Sequence, residues 1–508
     1  MWAYLRSQPR KLSFLLWPGR ALVAILLTWP LRPLLEQCCA GAIEILRGEM
    51  DVGFYLRQVA TPRLRRSAAR APQLHYLLLG QYLDYSPQPS FDARYYRLTN
   101  RDIPGRSCPF LHYVQQGRAE GRPAHAAGPS PPPGSVARAA AGDVALLLEH
   151  GRGGGSSRFL DFYARRLLLA GGAVVRMRRA AGRNPLYVID PPASLAVTPR
   201  WFEPFAGDEA LAAFARQAGV GKLVINHLID LPEQAFASLP RLARRIGASY
   251  ELLLHDYYYL CPRVDLVDTD GRYCGVRTAA GCGACLGQAR APQRGIDAAL
   301  WRARAGELLR GAARVVAPSA DLARRLGAYF PGVAIQVLEP EDDAQLPPER
   351  IPSIDPNAPL HLAVIGALNR AKGYDVVTAL ARLASHRKAP LRLSLLGHSI
   401  DDGRLRRLGV EVTGRYLENE AEDLLRASGA HAAFIPAIWP ETWSFVQTIA
   451  LRQALPVFAF DHGAVAQRLR RLRRSTLLPP SLSADEAALL HALLAFRASW
   501  LAAAGRPA

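Results

Sequence analysis

The chain predicts an α/β protein, two doubly wound parallel-sheet domains in tandem behind a small helical module, on three observations. Short apolar runs alternate with amphipathic stretches of helical period from residue 143 onward. The alternation restarts at His361, after acidic (EPEDD) and proline-rich (IPSIDPNAP) sequence, which separates two sheets. The length of 508 residues exceeds what one ordinary core fills. Half the residues are hydrophobic and 21% are charged, a globular rather than a disordered balance.

The formal net charge is +20, nearly all of it arginine. Such an excess fits an acidic partner: nucleic acid, anionic lipid or a phosphorylated substrate. An arginine-rich coding bias spread over solvated faces is the other reading. Nucleic acid is not expected, because the chain has no aromatic–basic interleaving and no nucleic-acid module. Seven cysteines without a secretory context point to a reducing compartment, where clustered cysteines bind metal more often than they form disulfides.

Residues 1–50 read as a basic and apolar membrane-edge segment. Arg6, Arg10, Lys11 and Arg20 surround two apolar runs, LSFLLWP and ALVAILLTWPL. The second run has 11 residues, short of the roughly 20 a spanning helix needs. Joining the runs would bury Pro18 and Arg20. No small-residue cleavage site follows, which argues against a signal peptide. An interfacial anchor with Trp17 and Trp29 at headgroup level fits, and a buried N-terminal helix is the alternative.

Residues 51–127 hold an internal repeat. Phe54-Tyr55 precedes LHYLLLG, Tyr95-Tyr96 precedes LHYVQQG, and the two L-H-Y-x-x-x-G blocks lie 37 residues apart. A period of this size predicts stacked helical units, with His75 and His112 packing or capping rather than binding a ligand. The pattern resembles a short helical repeat found ahead of bacterial glycosyltransferases. The resemblance implies a docking module for a protein partner, without a catalytic part. A Pro/Gly/Ala-rich linker covers 128–142.

In 143–345, DVALLL (143–148) predicts a buried strand that runs into a glycine loop and an amphipathic helix. Gly154, Gly155 and Ser156 stand at the helix start, where N–H groups can approach a phosphate or a sugar; tight turns use glycine runs as well. Further strands are predicted at 186–190, 222–228, 250–256 and 313–319. His255 and Asp256 end one of them, where ligands collect in such sheets. Cys261, Cys274, Cys282 and Cys285 follow at spacings of twelve, seven and two residues. A C-x-x-C pair with two further cysteines predicts a structural zinc ordering a loop of low apolar content. An iron–sulfur cluster and unliganded thiols are the alternatives.

In 346–480, strands are predicted at 361–366, 391–399, 410–416, 431–437 and 456–460. Gly366, Arg370, Lys372 and Gly373 lead into a helix whose N-terminus, with a lysine on its approach, suits a diphosphate. Around 435–463 a strand enters Trp439-Pro440-Glu441, continues through Thr442, Trp443 and Ser444, and starts a helix from Phe445 to Leu451. Glu441 and the N–H groups of that helix then stand at the carboxyl edge of a parallel sheet. An ordinary βαβ unit with a solvated Glu441 is the alternative. Residues 481–508 predict a helix capped by Ser483 or Asp485.

Taken in order, HGRGGG, HDYYYLCPR, VVAPS, IGALNRAKG, LLGHS, VTGRY and WPETWSF…ALPVFAFDHGAVAQRLR resemble the family 4 retaining glycosyltransferases, close to bacterial cell-surface polysaccharide enzymes. The resemblance implies a GT-B fold, two Rossmann-like domains with a cleft, 143–345 on the acceptor side and 346–480 on the nucleotide-sugar side. It implies transfer of a sugar from a nucleotide-diphosphate sugar, with retention, to a lipid-linked or growing glycan. No catalytic metal is implied, and the place of work is the cytoplasmic face of the membrane, on anionic lipid.

Residue by residue, Glu441 matches the first carboxylate of the family's Glu-x7-Glu pattern and His255 the cleft histidine, both against the donor sugar. Lys372 matches the lysine of the family's basic pair; Gly366, Arg370, Gly373, Thr442, Trp443 and Ser444 accompany it on the donor. Gly154 and Gly155 match the loop facing the acceptor, with Ser156 and Asp256 on the same side. Two positions depart. Ile449 stands where the second carboxylate is due and cannot accept a bond from the ribose, a loss of ~1.5–3 kcal/mol in binding. Ala367 takes the usual arginine position, and Arg370 is its nearest substitute. These departures leave a second expectation open, a catalytically degenerate relative that scaffolds a polysaccharide-assembly complex.

Overall fold

A computed structural model describes residues 32–504 apart from 60–61, 84, 101–102, 104–106, 126–143, 151–153, 180–186, 191–199, 203–208, 230, 232, 276–277, 289–294, 417 and 474–475. Residues 1–31 of the expected membrane-edge segment and the whole 128–142 linker lie outside the described residues. Among the described residues no helix is long and apolar enough to cross a membrane. The chain divides into two compact units, Met1–Glu251 and Leu252–Ala508.

The first unit opens with the repeat, and its sequence pattern has a physical cause. Asp51 and Asp92 cap the helices Val52–Gln58 and Ala93–Thr99, each accepting a hydrogen bond at 2.9 Å from the backbone N–H three residues on. The Tyr55 hydroxyl meets His75 Nδ1 at 2.5 Å, and the Tyr96 hydroxyl meets His112 Nδ1 at 3.0 Å. A Cβ at Gly80 would run into the Tyr55 hydroxyl, and one at Gly117 into that of Tyr96. The aromatic pair, the histidine and the glycine of each unit are therefore one packing device. Tyr55, Tyr76, Phe91, Tyr96 and Phe110 share one buried core.

The sheet of this unit takes the order β4-β3-β2-β1-β5-β6, from β1 (Val144–Glu149), β2 (Ala173–Arg179), β3 (Tyr187–Asp190), β4 (Arg200–Phe202), β5 (Val220–Ile225) and β6 (Ser249–Leu253). β1 pairs parallel with β2 and β5. β3 and β4 form an antiparallel edge, so the segment predicted at 186–190 joins the sheet in the opposite sense. β2 (AVVRMRR) escaped the sequence reading because arginines interrupt its apolar face. Val175 and Met177 are buried, while Arg176 turns the other way to pair with Glu149 and Asp161.

In the second unit, Leu254 donates to the Val316 carbonyl of β7 (Arg314–Ala317), which pairs parallel with β8 (Ile335–Val337). The other sheet comprises β9 (Leu360–Leu368), β10 (Leu391–Ser399), β11 (Glu411–Val412), β12 (Ala432–Ile435), β13 (Val457–Phe460) and β14 (Leu477–Leu478). Its order is β11-β10-β9-β12-β13-β14, with every pair parallel. The strand sequence reverses between β9 and β12, the switch point of a doubly wound sheet. Both faces are covered, as a parallel sheet requires. Leu362, Val364 and Phe434 pack one core with the helix Glu486–Ala504; Ala363, Ala433 and Val457 pack another with Ile449 and Leu469. Of the two predicted caps, Asp485 caps that last helix, accepting from Ala487 and Ala488.

Candidate functional site

The second sheet brings two loops together at its switch point. The loop after β9 runs from Asn369 to Gly373, and the loop after β12 from Pro436 to Ser444. Asn369 shapes the first, its Oδ1 accepting from Lys372 N at 2.9 Å and its carbonyl from Tyr374 N at 2.9 Å. Gly373, at φ +90°, starts the helix Tyr374–His386, and a Cβ there would strike the Pro436 carbonyl. Ile438 N donates to Ala371 O at 3.0 Å. Glycine at 373 is thus what lets the loops touch.

Across this junction Lys372 Nζ lies 3.5 Å from Glu441 Oε1. The lysine is half exposed and the carboxylate is 5% exposed. A buried carboxylate facing a solvent-reaching ammonium is an ion pair that a ligand can enter. Arg370 points elsewhere, 3.7 Å from Asp375, with both side chains exposed. Gly366, at φ +97°, lies beside Gly397 in β10, where a Cβ would meet the Gly366 carbonyl. At this one register position the backbones of β9 and β10 therefore approach each other without side chains.

Glu441 is anchored from two further directions. Ala464 N donates to its carbonyl at 2.7 Å, and Gly463, at φ +70°, lets that turn press on Pro440 and Glu441. Tyr257 donates its hydroxyl to Pro440 O at 3.0 Å, and Thr442 donates to the His255 carbonyl. Burial pushes the Tyr257 phenol well up, so it stays a donor. Asp256, next to His255, accepts from Tyr258 N at 2.8 Å. The structure therefore brings His255, Gly366, Lys372, Gly373, Glu441 and Thr442 around one junction.

Ser444 is the N-cap of the helix Phe445–Arg452. Its hydroxyl is buried, makes no cap bond and has no partner. Four helix N–H groups have no partner inside the helix at such an end, and here the usual cap is absent. Trp443 is differently placed: its Nε1 donates to Glu341 at 3.1 Å, and the Arg468 guanidinium lies 4.9 Å over its ring. Arg468 in turn binds Asp343. Ile449, about one turn into the helix, is buried in the apolar core. Ala367 is exposed.

In the first unit, Gly154, at φ +80°, caps the helix Gly155–Leu169 with no side-chain bond. Ser156 Oγ lies 2.6 Å from His150 Nε2, and the His150 ring meets His227 edge to face at 5.7 Å. These groups follow β1 and β5, the two sides of that sheet's own reversal. Cys261, Cys274, Cys282 and Cys285 line one cavity of about 20 Å³ in the second unit, and none of them is in a disulfide. Among the described residues, no three His, Cys, Asp or Glu side chains stand as a group able to hold an ion. The predicted zinc centre is not supported as a ligand set among the described residues.

No protein-family model matches this chain, and no curated protein matches it. Among solved structures it is similar to Anabaena Alr3699/HepE in complex with UDP and glucose, at 14% identity and a TM-score of 0.41, over 69% of this chain and 89% of that one. It is similar to sucrose-phosphate synthase (tll1590) from Thermosynechococcus elongatus, at 17% identity and a TM-score of 0.44, over 70% and 90%. It is also similar to the apo form of the lipopolysaccharide outer core galactosyltransferase WaaB, at 9% identity and a TM-score of 0.38, over 69% and 90%. At this level of likeness, function rests on the chain's own residues.

Sequence reasoning missed Tyr257, Asn369, Gly397 and Gly463 as parts of the junction, and His150 and His227 in the first unit. Only Asn369 carried a usable signal, a loop-forming residue directly before a predicted phosphate approach. Tyr257, Gly397 and Gly463 act through contacts distant in sequence, as does His150 against His227.

Proposed function

We propose that the protein is a retaining glycosyltransferase of the GT-B type that uses a nucleotide-diphosphate sugar. The observation that carries the reading is the Lys372–Glu441 pair at the switch point, beside the uncapped helix start at Ser444. Parallel sheets bind ligands at that crevice, and helix N-termini favour phosphate. Lys372, Ser444 and the adjoining N–H groups would hold the diphosphate, with Gly366 and Gly373 letting it approach the backbone. Glu441 and His255 would position the sugar. In the reaction the bond from the anomeric carbon to the phosphate oxygen breaks, and the nucleoside diphosphate leaves with the electron pair. The acceptor hydroxyl forms the new bond on the same face and gives up its proton to the departing phosphate. Fixed cations matched to that developing charge lower the barrier.

The remaining assignments belong to the same proposal. Domains run over 143–345 and 346–480, with Gly154, Gly155, Ser156 and Asp256 on the acceptor side. The acceptor is a lipid-linked or growing glycan at the inner face of the membrane, reached through the basic surface and residues 1–50, and residues 51–127 dock a protein partner. The apolar setting of Ile449 supports a second reading, a non-catalytic relative that scaffolds polysaccharide assembly. Calorimetry with UDP- and GDP-sugars, followed by a transfer and hydrolysis screen with Glu441→Ala as control, separates the two. Binding with turnover that Glu441→Ala abolishes is expected. No sugar-nucleotide binding at millimolar concentration would remove the enzyme reading.

A further inference from the structure

The strap that leaves β8 toward β9 carries Glu339, Glu341 and Asp343, and all three carboxylates are engaged. Glu339 and Asp343 accept from Arg471 at 2.7 Å and 2.5 Å, and Asp343 accepts from Arg468 Nε at 2.9 Å. Burial works against the Asp343 charge, but the hydrogen bonds from Arg468 and Arg471 outweigh it and hold its carboxyl below the usual range. Glu341 turns toward the loop after β12. Its Oε2 accepts from Trp443 Nε1 at 3.1 Å and from the Thr448 hydroxyl, and lies 3.5 Å from Arg468 Nη1. Arg468 is 2% exposed, donates to Thr448 Oγ1 at 2.7 Å and covers the Trp443 ring at 4.9 Å.

Trp443 and Thr448 stand one residue before and four residues after Ser444. The helix that starts there has no side-chain cap, and the buried Ser444 hydroxyl has no partner. One carboxylate from the strap therefore grips both sides of that helix start. Stability alone does not account for the arrangement, because a buried ion cluster often stabilises no better than apolar side chains of the same volume. What the cluster supplies is direction, since hydrogen bonds of defined geometry hold the indole and the hydroxyl in one place. Two carboxylates, Glu341 and Asp343, face two guanidinium groups, Arg468 and Arg471. The cluster thus adds no net charge behind a site for an anion.

On the reading that the helix start at Ser444 takes the donor diphosphate, we propose that Glu341 is a positioning residue for the donor. It acts through Trp443 and Thr448, which hold the Ser444 hydroxyl and the first helix N–H groups in place for the phosphates. The strap that leaves β8 thereby sets a binding site at the edge of the other sheet. Trp443 then serves the donor by being held, its side chain engaged with Glu341 and Arg468.

The test uses the full chain, first without nucleotide and then with it. Hydrogen exchange over residues 443–448, read by mass spectrometry, needs no ligand. In Glu341→Ala exchange there should quicken about tenfold, while Glu341→Gln keeps an acceptor for Trp443 and Thr448 and should stay near the unaltered chain. Glu339→Ala, which removes only a pair with Arg471, should leave the segment unchanged. Calorimetry with UDP and GDP should show affinity about tenfold weaker in Glu341→Ala and largely restored in Glu341→Gln. Unchanged exchange in Glu341→Ala overturns the proposal. So does faster exchange with undiminished nucleotide affinity, which would mark a purely structural contact. Absence of UDP and GDP binding by the unaltered chain is a different result, which removes the glycosyltransferase reading and the donor role of Glu341 with it. If Glu341→Ala fails to fold, Trp443→Phe takes its place, since it deletes the Nε1–H donor and keeps a ring under Arg468. Unchanged nucleotide affinity in that variant overturns the proposal equally.

Discussion

Lys372 and Glu441 face each other at 3.5 Å from two loops on opposite sides of the strand reversal between β9 and β12. Because only the lysine reaches solvent, an incoming anion displaces water from the lysine, while Ala464 and Tyr257 hold the backbone carbonyls of Glu441 and Pro440 that carry the carboxylate's loop. Lys372→Ala should weaken nucleoside diphosphate binding by ~1.5–3 kcal/mol, about tenfold to a hundredfold, since a charge-assisted contact is lost. Lys372→Arg should recover part of it. Titration calorimetry with UDP and GDP measures this, and unchanged affinity in Lys372→Ala would move the diphosphate elsewhere.

The Gly373 position tests whether the two loops must touch. Alanine there faces both a left-handed backbone and the Pro436 carbonyl, and the obstacle is backbone that cannot swing aside. Gly373→Ala should therefore cost roughly 1–3 kcal/mol or more of stability and part the loops. A lowered thermal midpoint with weakened nucleotide binding is expected. Gly409→Ala, also at positive φ but with open space around its Cβ, should lower the midpoint less and leave binding unchanged.

How far the sequence disclosed all this depended on the range of each contact. β9, β10, β12 and β13 were legible because strands buried on both faces are apolar runs, and Lys372 and Glu441 were legible because they follow such runs. β2 was not, since arginines interrupt it, and Arg176 is held by Glu149 and Asp161 on other elements. Tyr257 was invisible as a partner of Pro440 because 183 residues separate them. The cap of the last helix lay between two near candidates, and only the hydrogen bonds to Asp485 decided it.

The repeat offers a double-variant test of packing. Gly117→Ala should push against the Tyr96 hydroxyl and destabilise the helical module by roughly 1–3 kcal/mol, the range for an overpacked core. Tyr96→Phe removes the oxygen and the His112 bond together. With both changes the cost should fall below the sum of the single costs, because the phenylalanine vacates the space the alanine needs. Full additivity in thermal or urea unfolding would mean that glycine and tyrosine are not coupled.

The same device makes the module sensitive to acid. Burial lowers the His75 pKa from 6.5 to about 4, and its Nε2 has no partner. The neutral ring fits, with Nδ1 against the Tyr55 hydroxyl; a second ring proton would add a charge and an unpaired donor in an apolar core. The unfolded chain binds that proton near pH 6.5 and the folded chain only near 4, so the unfolded state holds more protons across that window. The stability from His75 is therefore complete above about pH 6.5 and drains away as the pH falls toward 4. His361, lowered to about 4 chiefly by burial, adds the same dependence in the second sheet. Unfolding midpoints measured from pH 7 down to pH 4 should fall for the unaltered chain. His75→Gln should start lower and fall less steeply, and an equal slope would assign the acid sensitivity to other groups.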